Sequence, residues 1–441
     1  MSVIFVNSGQ CGNQVGDHVI DSVYNNLSSI SSSPSTISSS SSTISSSIKS
    51  NRKLNDDNEE NEEELCYFFR RNTKNHSMIA RAILLDTEPK VVNDCLSKSR
   101  SNGRKWSYNP KNVIYRHGGA GNNWAKGYQM FQGEFLDTSI DLIRSELEKI
   151  DRSPVLLFSS SLAGGTGSGL GTHITEACEE VFPDVIRTNL VISPYNFGEV
   201  VVQYYNSLLC LSALSSSSNG IFLFENEKAK NLCRQYKGID RPSLFDINSL
   251  IAANVSPILL PKYQMYDPLN SSKSKLRLSS LTSDITHLCA NPGYRLMTVK
   301  NQPQTFQASI EYTSDSWAAL VGSLDRMDNI IKTSNNKRHN SIGSVLILRG
   351  PDSITVDQFQ FNKNCKVCYS PHMTNKYNRS ATLINNNDEI LPIIEKTAQK
   401  ACLLFERGAY IHQYHGCGLE DEDFIKAFRT VGQIIQNYRG L

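Results

Sequence analysis

The sequence lacks any apolar stretch long enough to cross a membrane, and it lacks an excess of charge of either sign. Its apolar runs are short beside the roughly 20 residues that a transmembrane helix needs. Its 45 basic and 43 acidic residues leave a formal net charge of +2, which argues against a dedicated nucleic-acid or membrane-surface protein. Residues 1–6 are mostly apolar and are followed by polar residues, so we expect a first strand there and not a secretory signal.

A paired set of cysteines with the spacing of a zinc site is also missing. The chain has 11 cysteines, an odd number, and they are scattered along it. The simplest interpretation is that they are reduced thiols in a cytosolic protein. Cys365 and Cys368 form a C-x-x-C pair, but there is no second pair, so we do not expect zinc there.

What the sequence does contain is a glycine-rich loop between an apolar run at 155–158 and a helix-like run at 170–182. Glycine has no Cβ, so main-chain N–H groups can close on phosphate oxygens, and the N-terminus of a helix adds unpaired donors. No lysine follows the glycines, so the loop is not the Walker pattern, and it does not have the dinucleotide spacing. A tight turn needs fewer glycines than this. The loop predicted to bind phosphate consists of Ala163, Gly164, Gly165, Thr166, Gly167, Ser168 and Gly169.

Strands alternate with helices through the first half of the chain, which predicts an α/β fold with a doubly wound parallel sheet. We divide the chain into an α/β nucleotide-binding domain at 1–243, a core helix with a smaller α+β domain at 244–388, and a C-terminal helical region at 389–441. The second domain is expected to have a sheet of its own, with strands at 295–299, 345–349 and 381–384. The apolar stripe of the last predicted helix, 420–438, is expected to pack on the body of the protein.

One long insertion follows the first predicted helix, which is expected to end near Asn26. Residues 28–50 are mostly serine, and residues 56–64 carry seven carboxylates. Such a segment cannot bury enough apolar area to offset the entropy of ordering. We therefore predict a disordered loop at 28–64, with its acidic part a solvated extension of the serine-rich part.

Polar side chains occur at several predicted strand ends, where ligands bind in sheets of this kind. Carboxylates beside a triphosphate make sense with a hard cation, and Mg²⁺ binds a few oxygens together with phosphate and water. The amide of an asparagine can read both faces of a purine edge, although a single asparagine is more often a cap or turn residue. The candidates are Gln10, Cys11 and Gln14 at the start of the first helix, Asp86 and Glu88 as carboxylates, Asn122 beside glycines, and Asn226 and Asn248 for the base.

The order of these loops resembles the tubulin family over almost the whole chain. The matching stretches are GQCGNQ at 9–14, DTEP at 86–89, GAGNNWAKG at 119–127 and AGGTGSG at 163–169. Near the C-terminus, YIHQY at 410–414 and EDEDF at 420–424 are also tubulin-like. The resemblance implies GTP or GDP with Mg²⁺ as cofactors. It assigns the metal to Glu88 with Asp86, and phosphate contacts to Ser161, Gly165, Thr166 and Gly167. It assigns guanine to Asn226 and Asn248.

Within the family, the chain is most similar to delta-tubulins. The stretch VQYYNS at 202–207 places Gln203 where alpha- and beta-tubulins have glutamate, and Gln203 is included among the nucleotide contacts. Residues 80–93 and 409–414 also resemble the delta type. This resemblance implies a cytoskeletal protein of the cytoplasm, at centrioles or basal bodies of cilia, that supports triplet microtubules. Its implied partners are other tubulins, through a longitudinal contact, and the microtubules of centrioles and basal bodies.

Three departures from the tubulin pattern bear on mechanism. The aromatic residue that covers guanine in the family is replaced by Leu244, with Phe245 adjacent, which predicts weaker or less selective binding. The carboxylate that one subunit donates to its neighbour's nucleotide falls on Ser283. Asp284 could serve as the catalytic residue only if its helix began in another register, since one residue is ~100° of helix rotation. The sequence also shows no long acidic tail, so motor-track behaviour is not expected.

Three functions remain open from the sequence. The first is a GTP-binding structural protein of the centriolar cytoskeleton, with weak or absent donated GTPase activity. The second is a self-polymerising GTPase that hydrolyses GTP at subunit interfaces. The third is a metabolic enzyme acting on a phosphate-bearing substrate, but the sequence shows no cluster of base and nucleophile beside the glycine-rich loop.

Overall fold

A computed structural model describes residues 2–30, 64–72, 77–101, 103–116, 118–130, 132–195, 200–266, 277–304, 316–328, 339–351 and 361–441. Almost all of the insertion predicted at 28–64 lies outside the described residues. Its beginning is corrected, because the first helix continues through Ile30 instead of ending near Asn26. The extension follows from packing, since Tyr24 and Leu27 belong to the buried core.

Strands and helices alternate through the first half of the chain, as predicted. Strands β1 to β9 are Ser2–Ser8, Phe69–Arg71, Met78–Ala80, Ala82–Asp86, Trp106–Ser107, Val113–Tyr115, Pro154–Ser161, Ile186–Ser193 and Gly220–Glu225. Helices α1 to α7 are Gly9–Ile30, Pro89–Ser101, Trp124–Gln129, Glu134–Leu147, Gly171–Val181, Gln203–Ser217 and Asn226–Lys237. A short 3₁₀ turn at Pro110–Asn112 precedes β6, and β2, β3 and β5 form a small separate sheet.

The second half is built from longer helices and a mixed group of strands. Helices α8 to α13 are Leu244–Leu259, Leu281–Leu288, Trp317–Met327, Leu391–Glu406, His412–His415 and Asp421–Arg439. Strands β10 to β15 are Lys262–Tyr266, Arg277–Ser279, Leu296–Gln302, Ser341–Arg349, Cys365–Ser370 and Ser380–Asn387, and a 3₁₀ turn at Asp388–Ile390 leads into α11. None of the described helices has the length and apolar character of a membrane span.

The main sheet has 12 strands in the order β11-β10-β14-β13-β15-β12-β9-β8-β7-β1-β4-β6. Around β1 the pairs are parallel: β1 lies between β4 and β7, and β8 and β9 continue outward from β7. The chain therefore winds from β1 in both directions, which confirms the predicted doubly wound parallel sheet. The loops after β1 and β7 leave adjacent strands at the same edge, which is where such sheets bind ligands.

The strands predicted at 295–299, 345–349 and 381–384 are confirmed as parts of β12, β13 and β15. They do not form an isolated sheet, because β12 pairs in parallel with β9 through Leu296 with Ile221 and Met297 with Phe222. Side chains on both faces of this junction are buried, so joining the two groups of strands covers apolar area from each. The three-part division of the chain stays a prediction.

The last helix packs on the body, as its apolar stripe predicted. Phe424, Ala427, Val431 and Ile435 of α13 are buried in one apolar cluster with α6 and α11. Phe424 contacts the rings of other aromatic residues in that cluster, one of which is Tyr414 at 5.4 Å between centroids. This packing places the segment around α12 next to the turns at the carboxyl edge of the sheet.

Candidate functional site

The turns after β1 and β7 touch through two glycines. A Cβ built on Gly9 would lie 2.7 Å from the main-chain nitrogen of Gly167, and Gly9 has a φ of +71°. Neither the space nor the backbone conformation accepts a side chain there. The close approach follows from the parallel pairing of β1 with β7, which brings both turns to one edge.

The turn before α3 closes on the same loop from another side. A Cβ on Gly165 would lie 2.6 Å from the main-chain nitrogen of Asn123. A Cβ on Gly127 would in turn lie 2.1 Å from the carbonyl oxygen of Gly165. Asn123 caps α3 by accepting a hydrogen bond from the N–H of Lys126 at 3.1 Å. Backbone thus meets backbone across this contact, so its geometry is set by main-chain atoms and not by movable side chains.

The turn after β4 completes the group of four. The hydroxyl oxygens of Thr87 and Thr166 lie 2.7 Å apart. A Cβ built on Gly119 would lie 3.2 Å from Oε1 of Glu88. The four turns that the sequence grouped by motif are therefore brought together at one edge of the sheet.

Within the glycine-rich loop, some residues face the open side and others face the protein. A Cβ on Gly164 would meet no atom within 4 Å, so that position borders open space. Residues Thr166–Leu170 form a π-helical turn that continues into α5. Ser168 is fully buried and its hydroxyl is hydrogen-bonded to the carbonyl oxygen of Gly164. Gly169 packs against the backbone of α3. Ser168 and Gly169 therefore face the protein interior and support the shape of the loop, whereas Gly164 borders open space.

Ser161 and Ala163 also help to set the shape of this loop. The hydroxyl oxygen of Ser161 accepts a hydrogen bond from the N–H of Ala163 at 3.2 Å. The carbonyl oxygen of Ala163 accepts one from the side-chain amide of Asn206 at 2.7 Å. The end of β7 is therefore held in a defined turn before the glycines begin.

Asn206 is a central residue that the sequence did not single out. Its amide donates to the carbonyl oxygens of Asn122 and Ala163, both at 2.7 Å. Its own oxygen accepts from the N–H of Trp124 at 2.9 Å and from the hydroxyl of Tyr414 at 2.7 Å. One fully buried side chain thus ties two loops and the C-terminal region together. Asn206 stands in the polar first turns of α6, beside Ser207, and this pattern does not distinguish it from an ordinary helix residue.

The two candidate carboxylates differ in environment. Asp86 is buried; its Oδ1 accepts from the N–H of Thr87 at 2.8 Å and its Oδ2 from the amide of Asn13 at 3.3 Å. Burial raises the pKa of Asp86 to about 6, against the opposing effect of these hydrogen bonds. Glu88 is exposed. Among the described residues no group of three or more histidine, cysteine or acidic side chains could hold a metal ion. A cation here would be held by one or two carboxylates and the ligand's own oxygens.

The three candidates on the first turns of α1 differ in exposure. Gln10 is exposed, and Cys11 and Gln14 are half-buried. Burial raises the pKa of the Cys11 thiol to about 12, so the sulfur stays protonated and is not a nucleophile at neutral pH. Asn13, on the buried side, donates to the carbonyl oxygens of Gly9 and Leu85 and fixes the start of the helix against β4.

The asparagines proposed for the base lie on α7 and α8. Asn226 is the first residue of α7, and Asn248 lies in the second turn of α8, where it is buried. Helix α8 packs along α1, where His18 contacts the ring of Phe245 at 4.7 Å between centroids. Leu244 is 52% exposed and Phe245 is 65% exposed, so an apolar surface lies open at the start of α8.

Gln203 is the first residue of α6 and is buried. Its amide nitrogen donates a hydrogen bond to the carbonyl oxygen of Tyr195 at 3.3 Å. Gln203 therefore connects the beginning of α6 to the segment that follows β8. The contact lies one strand beyond the glycine-rich loop in the sheet order.

Asp284 occupies a different environment from the one that a donated catalytic carboxylate needs. It is 1% exposed, with Lys262 and Lys366 each at 2.8 Å from its oxygens. Burial opposes its ionisation, but the attraction of the two lysines is stronger and holds the pKa of Asp284 below its ordinary value of 3.8. Ser283, on which the family's catalytic position was predicted to fall, is exposed instead. These two lysines hold Asp284 in the interior, and a catalytic role for it stays a prediction.

The model of the Tubulin/FtsZ family, GTPase domain, matches residues 2–234. The chain belongs to the tubulin family. It is 31% identical to the tubulin delta chain of Homo sapiens and 30% identical to that of Mus musculus, in alignments that cover 100% of both chains. It is 24% identical to the tubulin beta chain of Candida albicans, over 99% of this chain and 94% of the other.

These findings confirm the resemblance to the tubulin family and to its delta type that the loop motifs suggested. Tubulin-family membership implies a guanine nucleotide as the ligand and other tubulins as partners. The four turns brought together at the carboxyl edge of the sheet all lie within the part of the chain that the GTPase-domain model matches.

Proposed function

We propose that this tubulin-family protein binds GTP or GDP across the carboxyl edge of the sheet, held by main-chain amides instead of a lysine. The observation that carries this proposal is the contact of four turns, three of them glycine-bearing, around an opening bordered by Gly164. A phosphate chain fits such a cradle, because the backbone contacts of Gly9 with Gly167 and of Gly165 with Asn123 fix its shape before the ligand arrives.

The phosphates are assigned to the glycine-rich loop and its neighbours. Main-chain amides of the loop and of the first turn of α1 supply most of the donors, and the N-terminus of α1 adds a favourable dipole. Ser168 and Gly169 act as positioning residues behind this surface. The set that faces the phosphates is Gln10, Cys11, Asn122, Ser161, Ala163, Gly164, Gly165, Thr166 and Gly167.

The guanine is assigned to Asn226 and Asn248, with Gln14 and Gln203 at its edges. Two amides on separate helices can pair with the donors and acceptors of a purine edge. The exposed Leu244 and Phe245 offer an apolar cover for the base. Leu244 stands at the family's aromatic position but has no ring, and Phe245 is one residue away from that position. We therefore expect a weaker base contact than in other tubulins.

Mg²⁺ would be held by Glu88, with Asp86 behind it. The donor set fits a magnesium ion that takes its other ligands from phosphate and water, as is common for this metal. The exposed Glu88 can turn toward the ligand, while Asp86 is fixed by two hydrogen bonds. The glycine-rich loop at 163–169 contains no basic side chain. A bound cation would therefore neutralise part of the phosphate charge.

We propose that GTP hydrolysis is weak or absent where this chain contacts the nucleotide of a neighbouring tubulin subunit. The family donates a carboxylate from one subunit to the nucleotide of the next, to orient the attacking water. In this chain the corresponding Ser283 carries no carboxylate, and Asp284 is engaged with Lys262 and Lys366. The nucleotide would then stabilise the folded protein and its longitudinal contact with another tubulin instead of timing disassembly.

By analogy with the delta type, we propose that the protein works in the cytoskeleton of the cytoplasm, at centrioles or basal bodies of cilia. Its role there would be to support triplet microtubules together with other tubulins. The support for this step is similarity to tubulin delta chains along the whole chain. Site geometry does not contribute to it, since one fold serves many functions.

A single purified sample tests the nucleotide and hydrolysis parts. The protein is denatured, and the released nucleotide is identified by ion-exchange chromatography against GTP and GDP standards. Phosphate release is then followed with added GTP, for the protein alone and with alpha–beta tubulin. A stoichiometric guanine nucleotide with slow phosphate release at every protein concentration is the expected result. Release that rises steeply with protein concentration would favour the self-polymerising GTPase instead.

A further inference from the structure

A cavity lies behind the helices that carry the two base-reading asparagines. It has a volume of about 130 Å³ and is lined by residues of β9, α7, α8 and β12. Much of its wall is apolar, with Leu232, Leu250, Ile251 and Val299 among the lining side chains. For scale, an apolar cavity of about 150 Å³ in another protein accepts a benzene molecule. The space therefore suits a ligand of roughly six to eight non-hydrogen atoms.

Two buried polar oxygens in this wall have no hydrogen-bond partner among the described residues. They are Oγ1 of Thr298 and Oε1 of Gln304, and both residues line the cavity. The amide of Gln304 is oriented by its nitrogen, which donates to Oδ1 of Asn254 at 3.5 Å. The opposite oxygen is thereby left as a free acceptor. Buried polar atoms without partners are uncommon and mark places where a ligand or a water belongs.

The charged residues at the rim are already paired with one another. Lys228 lies 2.7 Å from Glu225 and 3.3 Å from Glu389, and Lys300 lies 2.7 Å from Glu389. A charged ligand would have to compete with these pairs and would lose its hydration on entry. Apart from the ion-paired Glu389, the buried lining atoms without a hydrogen-bond partner among the described residues are therefore one acceptor and one hydroxyl.

We infer that this cavity is a binding site for a small neutral molecule consisting of an apolar ring and one hydroxyl group. The ring fills the space between the apolar walls, and the hydroxyl donates to Gln304 or accepts from Thr298. The site is separate from the glycine-rich loop, and it does not depend on the proposed nucleotide function. Phenol is the simplest probe with this chemistry, and toluene has the same shape without the hydroxyl.

The test uses the full chain as purified, titrated with phenol and with toluene by calorimetry and by ligand-observed NMR. One phenol per chain is expected, with a dissociation constant at least tenfold below that of toluene. In Thr298→Val, which keeps the shape of the side chain, phenol binding should weaken about tenfold and toluene binding should not change. Thr430→Val, at a half-buried position of α13 that does not line the cavity, serves as the matched control and should bind both as the wild type does.

A second variant checks the location without relying on hydrogen bonds. Ala229 is buried and lines the cavity, so Ala229→Phe places a ring in the space and should abolish binding of both probes. Equal affinity for phenol and toluene in the wild type would overturn the inference. So would unchanged phenol binding in Thr298→Val, or the lack of any phenol binding to the wild type, the result expected if water alone fills the cavity. If Ala229→Phe does not fold, the comparison of Thr298→Val with the wild type decides.

Discussion

The hydroxyl groups of Thr87 and Thr166 lie 2.7 Å apart and join the turn after β4 to the glycine-rich loop. Thr87 is buried, while Thr166 is half-buried. The pair couples the carboxylate-bearing turn to the loop proposed to hold phosphate. Substituting each threonine in turn therefore distinguishes a structural role of the hydrogen bond from a role of Thr166 in binding phosphate.

Thr166→Val is expected to abolish retention of the guanine nucleotide, because it removes a hydroxyl from the phosphate-binding loop. Thr87→Val removes the other half of the same hydrogen bond and is the matched control, with an expected loss of about 1 kcal/mol in stability and most of the nucleotide retained. Nucleotide content is measured by chromatography after denaturation. Equal retention by both variants at the wild-type level would contradict the assignment of Thr166.

Gly9→Ala should unfold or strongly destabilise the site, because the new Cβ would lie 2.7 Å from the backbone nitrogen of Gly167. Gly133→Ala is the control: Gly133 has the same φ of +71° but no atom within 4 Å of the built Cβ. The control carries only backbone strain, of order 1–3 kcal/mol. Both variants should melt earlier in a thermal scan, but only Gly9→Ala should lose the nucleotide. Loss in both would show that retention follows global stability.

Asn206→Asp should cost about 2–4 kcal/mol of stability and release the nucleotide. A carboxylate in place of the amide cannot donate to the carbonyl oxygens of Asn122 and Ala163, which would then face a negative charge in the interior. Tyr414→Phe removes one hydrogen bond from the same residue and is expected to cost only about 1 kcal/mol. Chemical denaturation and nucleotide content are the measurements. A milder effect for Asn206→Asp than for Tyr414→Phe would contradict the central role of Asn206.

Leu244→Tyr should strengthen guanine nucleotide binding about fivefold, since an aromatic ring over the base adds about 1 kcal/mol of stacking. Leu244 is half-exposed, so the larger side chain meets no packed interior. Affinity is measured by competition with a fluorescent GDP analogue. Phe245→Ala is the comparison: if it loses affinity while Leu244→Tyr gains none, Phe245 covers the base in this chain.

Asp284→Asn is expected to destabilise the fold by about 3–5 kcal/mol without changing the rate of phosphate release. The substitution leaves two buried lysines without their shared carboxylate. Because the folded pKa of Asp284 is depressed, its contribution to stability is present above the unfolded value of 3.8 and disappears as the pH falls through the lower folded value. The difference between variant and wild type in free energy of unfolding should therefore shrink below about pH 4. A large drop in GTP hydrolysis at unchanged stability would restore Asp284 as a catalytic residue.

The motifs predicted correctly which turns would share one edge of the sheet. Gly9 and Gly167 come together because parallel neighbours end at the same edge, and that rule needs only the order of strands. The roles of Ser168 and Asn206 could not be predicted in this way. Ser168 lies in the glycine-rich motif yet points inward, and Asn206 lies outside any loop yet bonds two of them. Which side a residue of a tight turn faces depends on the packing behind it.

The sequence by itself determined the family, the doubly wound sheet and the set of glycine-bearing turns. The alternation of strands with helices, the helix periodicity and the glycine positions are all patterns of residues close together in the chain. Only the tertiary structure decided that the strands after β9 join the first sheet, that Asp284 is held inside by Lys262 and Lys366, and that Asn206 ties the loops to α12. These three outcomes depend on which distant groups share a buried space. There, desolvation makes each polar atom take whatever partner the fold brings within reach.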